Sequence, residues 1–366
     1  MAVNRKLSQI TLLAGTSLAM LASTGLAYGS GFELQEQSAS GMGNAFAGGA
    51  AIAQDASTIY TNPAGMVRLP GWQTSVATSL ICPSFKLLDD KSQSQPAAGQ
   101  ALGGTGGDAG SCAAVPALYL SVPASERLWA GVGVNAPFGL ETDYHPDWLG
   151  RFQAIESKVE TVNINPALAF RLNDHVALGF GISWQYIDAK LTSQVNYGGA
   201  VLQGVEQGVA NGDIPPSAVP DLFASALGLE SAAKIKGNDS TWGWNIGALI
   251  TLNPETRIGL QYRSKIDYKV SGTASFNNPP LGPLPPLVEP YGDAVTSAIN
   301  NGLLASGPVT LKLELPESAN FSVVRDLDTR WQVMADVQYT GWSSVEAPDD
   351  REGGQLGTDQ YARELP

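Results

Sequence analysis

From Val162 onward the chain alternates between two kinds of residue. Val162, Ile164, Pro166, Leu168, Phe170 and Leu172 fall on one side of a two-residue period; Asn163, Asn165, Ala167, Ala169 and Arg171 fall on the other. The next segment repeats the pattern, with Val176, Leu178, Phe180, Ile182, Trp184 and Tyr186 set against Ala177, Gly179, Gly181, Ser183 and Gln185. Trp242, Trp244, Ile246, Ala248, Ile250 and Leu252 form a third apolar row, and shorter rows run through Val309–Leu315 and Trp331–Tyr339. A period of two places successive side chains on opposite faces of a strand. Nine strands are predicted, near 72–82, 116–122, 128–138, 157–172, 175–192, 241–252, 256–275, 308–324 and 330–343.

The strands are long for a globular protein, where about 5–6 residues is usual, and they reach the 9–11 or so that a tilted membrane strand needs. The apolar rows end in Trp and Tyr, as at a membrane interface, while the opposite rows are small and polar. Strands in a bilayer must satisfy all their backbone groups and therefore close into a barrel. The pattern thus predicts an all-β protein, a transmembrane antiparallel β-barrel; a secreted β-sandwich would bury the same apolar rows in a dry core, but seldom sustains runs of this length. From the fourth strand on, short links (Asn173-Asp174, Asn253-Pro254-Glu255) alternate with long ones at 193–240 and 276–307, which assigns the long links to the exterior. Nine is an odd count, and the polar end of the chain (Ala362 to Pro366) does not alternate, so a truncated barrel lacking its closing strands is expected.

Composition narrows the function. Arg5 and Lys6 precede an apolar run from Ile10 to Ala22, and Gly25 and Ala27 fit a cleavage site, so residues 1–27 read as a signal peptide. Past it, no run of 18 apolar residues could make a membrane helix. Charged residues make up only 15% of the chain, against about a quarter in soluble proteins. The formal charge of −13, with no basic block, argues against a nucleic-acid partner. Two His and two Cys exclude a zinc framework, and neither a metal nor a cofactor is expected. Gly131 to Ala136 (GVGVNA) loosely matches a dinucleotide motif, but Pro137 forbids the helix that motif requires. Cys82 and Cys112 flank the first long link, where a disulfide would close a loop of about 30 residues and contribute about 3 kcal/mol.

Between the signal and the first strand lies a Gly-, Ala- and Ser-rich head, residues 31–66, whose small side chains allow close packing inside a lumen. Its Gly31-Phe32, Ser40-Gly41-Met42-Gly43-Asn44-Ala45, Ala53-Gln54-Asp55-Ala56 and Asn62-Pro63-Ala64 resemble the FadL/TodX family of outer-membrane transporters for hydrophobic compounds. INPALAFRLNDHVALGFGISWQYIDAKL (164–191), TWGWNIGAL (241–249), QYRSKIDYKVSG (261–272) and LELPES (313–318) extend the likeness to about Val345. The resemblance implies a fourteen-stranded barrel, about five strands of it absent here, plugged by an N-terminal hatch. It implies capture of a hydrophobic small molecule outside, passage into the lumen and lateral exit through a wall gap. The expected organisation is a signal peptide at 1–27, a hatch at 28–70 and a partial barrel at 71–366. The expected setting is the outer membrane, among its lipids, as a monomer.

Candidate sites follow. Phe32, Gly41, Gly43, Asn62, Pro63 and Ala64 belong to the hatch. Asn135, Pro137, Phe138 and Gly139 shape the lateral exit on the functional reading, since Pro137 removes a ladder N–H; otherwise Pro137 simply ends a strand. In 221–230 and 293–304, apolar residues recur at helical spacing, and Phe223, Leu227, Ile299 and Leu303 are candidates for a capture groove, unless those helices only pack on each other. Fatty-acid members of the family place basic residues near the ligand carboxylate; Lys190 is the nearest candidate, with Arg171 and Arg263 on the lumen face either there or paired with carboxylates such as Asp336. Downstream of Trp342 stand Glu346, Asp349 and Asp350, so neutral hydrophobic compounds remain open. No catalytic residue is expected. A lipid hydrolase barrel would need a nucleophile beside His145 or His175, and neither has a recognisable motif; a structural or adhesin-like barrel is the remaining alternative.

Overall fold

The structure, a computed structural model, describes residues 31–88 and 99–342. The expected signal peptide and the acidic stretch after Trp342 lie outside them. One antiparallel sheet is built from β1 (Gln73–Ile81), β2 (Ala113–Pro123), β3 (Leu128–Asn135), β4 (Gly139–Asp143), β5 (Glu156–Arg171), β6 (Val176–Val195), β7 (Ser231–Asn253), β8 (Thr256–Arg263), β9 (Ile266–Asn277), β10 (Gly307–Leu315), β11 (Ser318–Asp326) and β12 (Gln332–Thr340). These twelve segments are nine passes, three of them interrupted. β3 and β4 both pair with β5, β8 and β9 both pair with β7, and β10 and β11 continue one another against β9 and β8. Among the described residues β1 and β12 each have a single neighbour.

Burial along the strands is inverted relative to a soluble protein. Leu168 (52% exposed), Phe180 (46%) and Ile246 (46%) face outward, whereas Asn163 (0%), Asn165 (1%), Gln185 (1%) and Asn245 (0%) are buried inside. Water as the outer solvent would select the opposite arrangement, so hydrocarbon is the medium the outer face is built for. Trp184 and Trp242 stand opposite each other, and Trp244 packs against Tyr262 at 5.3 Å, in the outer aromatic band. No helix among the described residues is long and apolar enough to cross a membrane.

β6 and β7 run for 20 and 23 residues, roughly 65–75 Å at about 3.3 Å per residue. Even tilted, they rise well beyond a hydrocarbon layer of about 30 Å. Residues 231–240, expected in an external link, instead extend β7. Their Lys234, Lys236, Asn238 and Ser240 carry no apolar face, because above the membrane both faces meet water; the strand persists where its hydrophobic period does not. The remaining external links hold helices α4 (Tyr197–Asn211), α5 (Val219–Ala226) and α6 (Glu289–Asn301).

Ahead of β1, the head folds into α1 (Ala39–Gly43), α2 (Gly49–Ile52), α3 (Thr58–Thr61) and a 3-10 turn (Pro63–Arg68). It packs inside the curved sheet: Ile59, Met66, Val67 and Leu69 share one core with Tyr119, Trp129, Ala169, Leu249 and Val324 of the wall.

Candidate functional site: a plugged lumen and a broken wall

The hatch is held from two directions. Asn62 is fully buried; its amide donates to the carbonyls of Ala50 (2.6 Å) and Ala248 (3.0 Å), and its Oδ1 accepts from the Ala64 N–H (3.0 Å). Pro63 starts the 3-10 turn, where its missing N–H leaves no unmet bond. Wall glycines receive this turn: a Cβ on Gly179 would come within 2.2 Å of Ala64 N, and one on Gly247 within 2.0 Å of Asn62 Oδ1. Glycine inside a strand marks such close backbone approach. Gly41 is required in the same way, since a Cβ there would meet the Phe46 ring at 2.7 Å, whereas a Cβ on Gly43 would meet nothing.

Charged wall side chains latch the hatch backbone. Arg263 donates to the Tyr60 carbonyl (2.9 Å) and lies 4.3 Å over the Tyr60 ring. Arg171 donates to the Val67 carbonyl and stacks on Trp129 at 4.8 Å. Asp336 accepts from the Gly48 N–H and the Ser322 hydroxyl, and Ser322 Oγ in turn accepts from the Ala50 N–H (3.0 Å). Arg263, expected as a ligand-binding residue, is therefore occupied by the hatch, because a buried guanidinium needs acceptors and the hatch carbonyls supply them. Neither arginine pairs with Asp336. Between hatch and wall lies a cavity of about 110 Å³ lined in part by Glu33, Ser38, Tyr60, Gln261, Arg263 and Asn320. Burial raises the Glu33 carboxyl above its ordinary value, against the pull of Arg263 and the Thr340 hydroxyl.

The wall breaks between β3 and β4. Asn135 pairs with Asn163 and Gly139 with Glu160, so three residues, Ala136, Pro137 and Phe138, face two on β5. β2 pairs with β3 only up to Leu118–Val134; its residues 113–117 pair with β1 alone, and β4 pairs with β5 alone until an isolated bridge joins Gly110 to Thr142. The freed polar groups find other partners. Phe138 N–H donates to Thr161 Oγ1 (3.0 Å), whose hydroxyl donates to Phe138 O (2.7 Å). On the opposite edge, Leu34 N–H donates to Pro137 O (2.8 Å), Gly139 N–H to Phe32 O (3.0 Å), and Gln37 Nε2 to Ala136 O (2.8 Å). Asn135 Nδ2 donates to Gln37 Oε1 (2.9 Å). The head of the hatch thus takes the ladder position that β2 leaves empty. Phe32, Phe138 and Trp342 stack edge-on within 5.4–6.3 Å of one another beside the break.

Outside, the helices form their own core around Tyr197, Val201, Val205, Leu222, Val295 and Ile299. Ile299 is a buried member of that core and Phe223 a half-buried one, while Leu227 (50% exposed) and Leu303 (45%) face solvent. Of the apolar row Leu222, Phe223, Ala226 and Leu227 that the helical spacing picks out, Leu222 and Ala226 are the fully buried pair, on the inner face of α5. Lys190 stands on the outer face of β6, opposite Lys158 and ion-paired to Glu156. Its expected place at a lumen ligand is corrected by strand parity: it shares the outward register of Phe180, Ile182 and Trp184. Cys82 and Cys112 form a disulfide. His175 Nδ1 lies 2.9 Å from Thr251 O.

Residues 19–352 match the outer membrane protein transport protein family (OMPP1/FadL/TodX). The chain belongs to this family. It is 30% identical over 348 residues to the long-chain fatty acid transport protein of Escherichia coli O157:H7, covering 93% of this chain and 73% of that one. Outer membrane protein P1 of Haemophilus influenzae is 26% identical over 339 residues, covering 89% and 69%. A solved Pseudomonas aeruginosa FadL homologue superposes with a TM-score of 0.71 at 23% identity, covering 86% of this chain and 70% of that one, which establishes the shared fold. FadL/TodX members are transport channels rather than enzymes, and the protein is an outer-membrane β-barrel.

Proposed function

We infer that this channel takes up hydrophobic compounds by capture at the external helices, descent into the lumen and lateral release through the β3–β4 break. The unpaired stretch between β2 and β4 carries this reading. Leaving ladder hydrogen bonds unmade in a membrane wall is costly, and here Pro137 and the extra residue keep the ladder from closing. Leu227 and Leu303 offer the exposed apolar surface for first contact, and Phe32, Phe138 and Trp342 an aromatic lining at the exit. Phe32 to Gln37 occupy the free edge, so passage requires that segment to yield. Long-chain fatty acids are the substrate class suggested by the E. coli relative.

Deleting Ala136 and replacing Pro137 by Val restores a two-against-two register. Uptake of a fluorescent long-chain fatty acid by cells carrying this variant should fall at least about tenfold, a barrier increase near 1.4 kcal/mol, while the heat-modifiable gel shift of the folded barrel is kept. Unchanged uptake with a closed ladder would sink the lateral route.

A further inference from the structure

Two consecutive inward positions of β5 serve the break in the wall. Thr161 holds Phe138 through its hydroxyl. Asn163, the next inward residue, stands opposite Asn135 on β3 and begins a row of amides that runs to the hatch. Asn163 Nδ2 donates to Asn135 Oδ1 (2.9 Å), Asn135 Nδ2 donates to Gln37 Oε1 (2.9 Å), and Gln37 Nε2 donates to the carbonyls of Leu34 (2.7 Å) and Ala136 (2.8 Å). All three side chains are buried. The sense of the row is fixed at the hatch end. Leu34 O and Ala136 O can only accept, so the Gln37 nitrogen must face them and its oxygen must face Asn135. Asn135 must then present Nδ2 to Gln37 and Oδ1 to Asn163, and Asn163 must answer with its own Nδ2. Turning over any one of these amides sets like groups against each other.

At its lumen end the row stops on an unmet acceptor. Asn163 Oδ1 is buried and has no partner among the described residues, and neither has Nε2 of Gln185, the register partner of Asn163 on β6. A buried acceptor without a donor is destabilising, and the pairing of β3 with β5 does not call for one, since Asn135 and Asn163 are in register through their backbones. What the arrangement secures is the orientation of Gln37, whose two carbonyl bonds join the hatch at Leu34 to the β3–β4 connection at Ala136. We propose that Asn163 and Asn135 are positioning residues for the exit: acting through Gln37, they hold hatch residues 32–37 on the free edge of the wall. Among the described residues, no hydrogen bond joins Asn163 to the hatch directly, so its effect there must pass through Asn135. The functional consequence rests on lateral release at this break; the positioning role itself does not.

Asn163→Leu removes the donor and the unmet acceptor together in a side chain of similar shape. In the full chain, amide exchange at Leu34 and Gly139, whose N–H groups tie the hatch to the break, should accelerate about fivefold, the effect of losing one buried hydrogen bond. Exchange at Ala50 and Ala64, held by Ser322 and Asn62 deeper in the hatch, should not change, and the heat-modifiable gel shift should be kept. A residue that merely supports the barrel would move all four amides together. In a Gln37→Met background the same substitution should add nothing, because the row no longer reaches the two carbonyls. Uptake of the fluorescent fatty acid should rise by up to the same factor, since the segment that must yield is held less firmly. Asn163→Ala, which also removes both groups, takes the place of N163L if that variant does not fold. Unchanged exchange at Leu34 and Gly139, equal acceleration at Ala50 and Ala64, or full additivity with Q37M would overturn the positioning role. Selective acceleration with unchanged uptake would uphold that role and count instead against lateral release.

Discussion

The hatch, ahead of β1, and the external helical cap, carried on links between strands, are both attached to one sheet, but they are built on opposite principles. The cap has helices of 15, 8 and 13 residues and an apolar core drawn almost wholly from its own segments. The hatch has helices of 5, 4 and 4 residues, too short to persist alone. Its core is shared with the wall, and its backbone is satisfied by Arg263, Arg171, Asp336 and Ser322 reaching in. Among the described residues, all three non-glycine positions with left-handed backbone, Ala45, Phe46 and Ala53, are in the hatch. Such positions cost about 1–3 kcal/mol each and persist only where surroundings impose them. The cap is therefore a self-supporting domain, and the hatch is a segment whose shape is dictated by its socket.

The largest effect that separates the two should come from the cap. Leu222→Ala removes a fully buried side chain and should cost about 2–5 kcal/mol of cap stability. Amide exchange over α4 to α6 should accelerate accordingly, with exchange over 39–69 unchanged. Acceleration in both regions would mean that the cap and the hatch are one cooperative unit.

A smaller effect is expected at the socket. Gly179→Ala places a methyl against the Ala64 backbone, and overpacking of this kind costs about 1–3 kcal/mol. Protease cleavage within 39–69 should rise while the cap and barrel stay intact. The partner change Arg263→Met, which strips the Tyr60 carbonyl of its donor, should add a loss of similar sign and of about 1–2 kcal/mol. If neither change exposes the hatch, the wall does not dictate its shape.

The difference between the two regions also explains what was legible in the sequence. All nine passes could be predicted because lipid imposes a strict two-residue hydrophobic period on Val162–Leu172, Val176–Tyr186 and Trp242–Leu252. The same code falls silent at Lys234 to Ser240, where water lies on both sides, and that portion of β7 was invisible. The hatch could be recognised from Asn62-Pro63-Ala64 and its small residues, but not its mode of attachment. Alternation puts Gly179 and Gly247 on the lumen face; that each is a seat for one hatch turn depends on contacts between segments far apart in the chain. Arg263 could be placed on the lumen face by parity, yet its partner is a backbone carbonyl, which leaves no mark in any side-chain pattern. Proximity to a strand end suggests Lys190 for the lumen, but strand parity sets it outside.

The smallest predicted effect is the most discriminating, because it isolates two carboxylates of the hatch. Burial pushes Glu33 upward and wins over Arg263 and Thr340, so its folded value exceeds its undocked one. Burial also pushes Asp55 upward, but hydrogen bonds from Ser40 (2.6 Å), from the Ser57 hydroxyl and N–H (2.8 Å) and from Ser75 outweigh it, so its folded value is depressed. The signs are opposite. Ionised Glu33 opposes docking at neutral pH, and that penalty disappears as pH falls through its raised value towards about 4.3. Ionised Asp55 supports docking above about 3.9, and that support is lost as pH falls through its depressed value. Hatch protection, corrected for intrinsic exchange, should therefore climb on acidification from pH 7, peak near about pH 4 and then fall. Glu33→Gln should flatten the neutral limb by holding the hatch in its protonated-like state, and Asp55→Asn should lower the plateau without moving that limb. The cap, whose core holds no carboxylate, should show neither limb. A cap that titrates in step with the hatch would show that the two regions respond to one global opening of the barrel rather than separately.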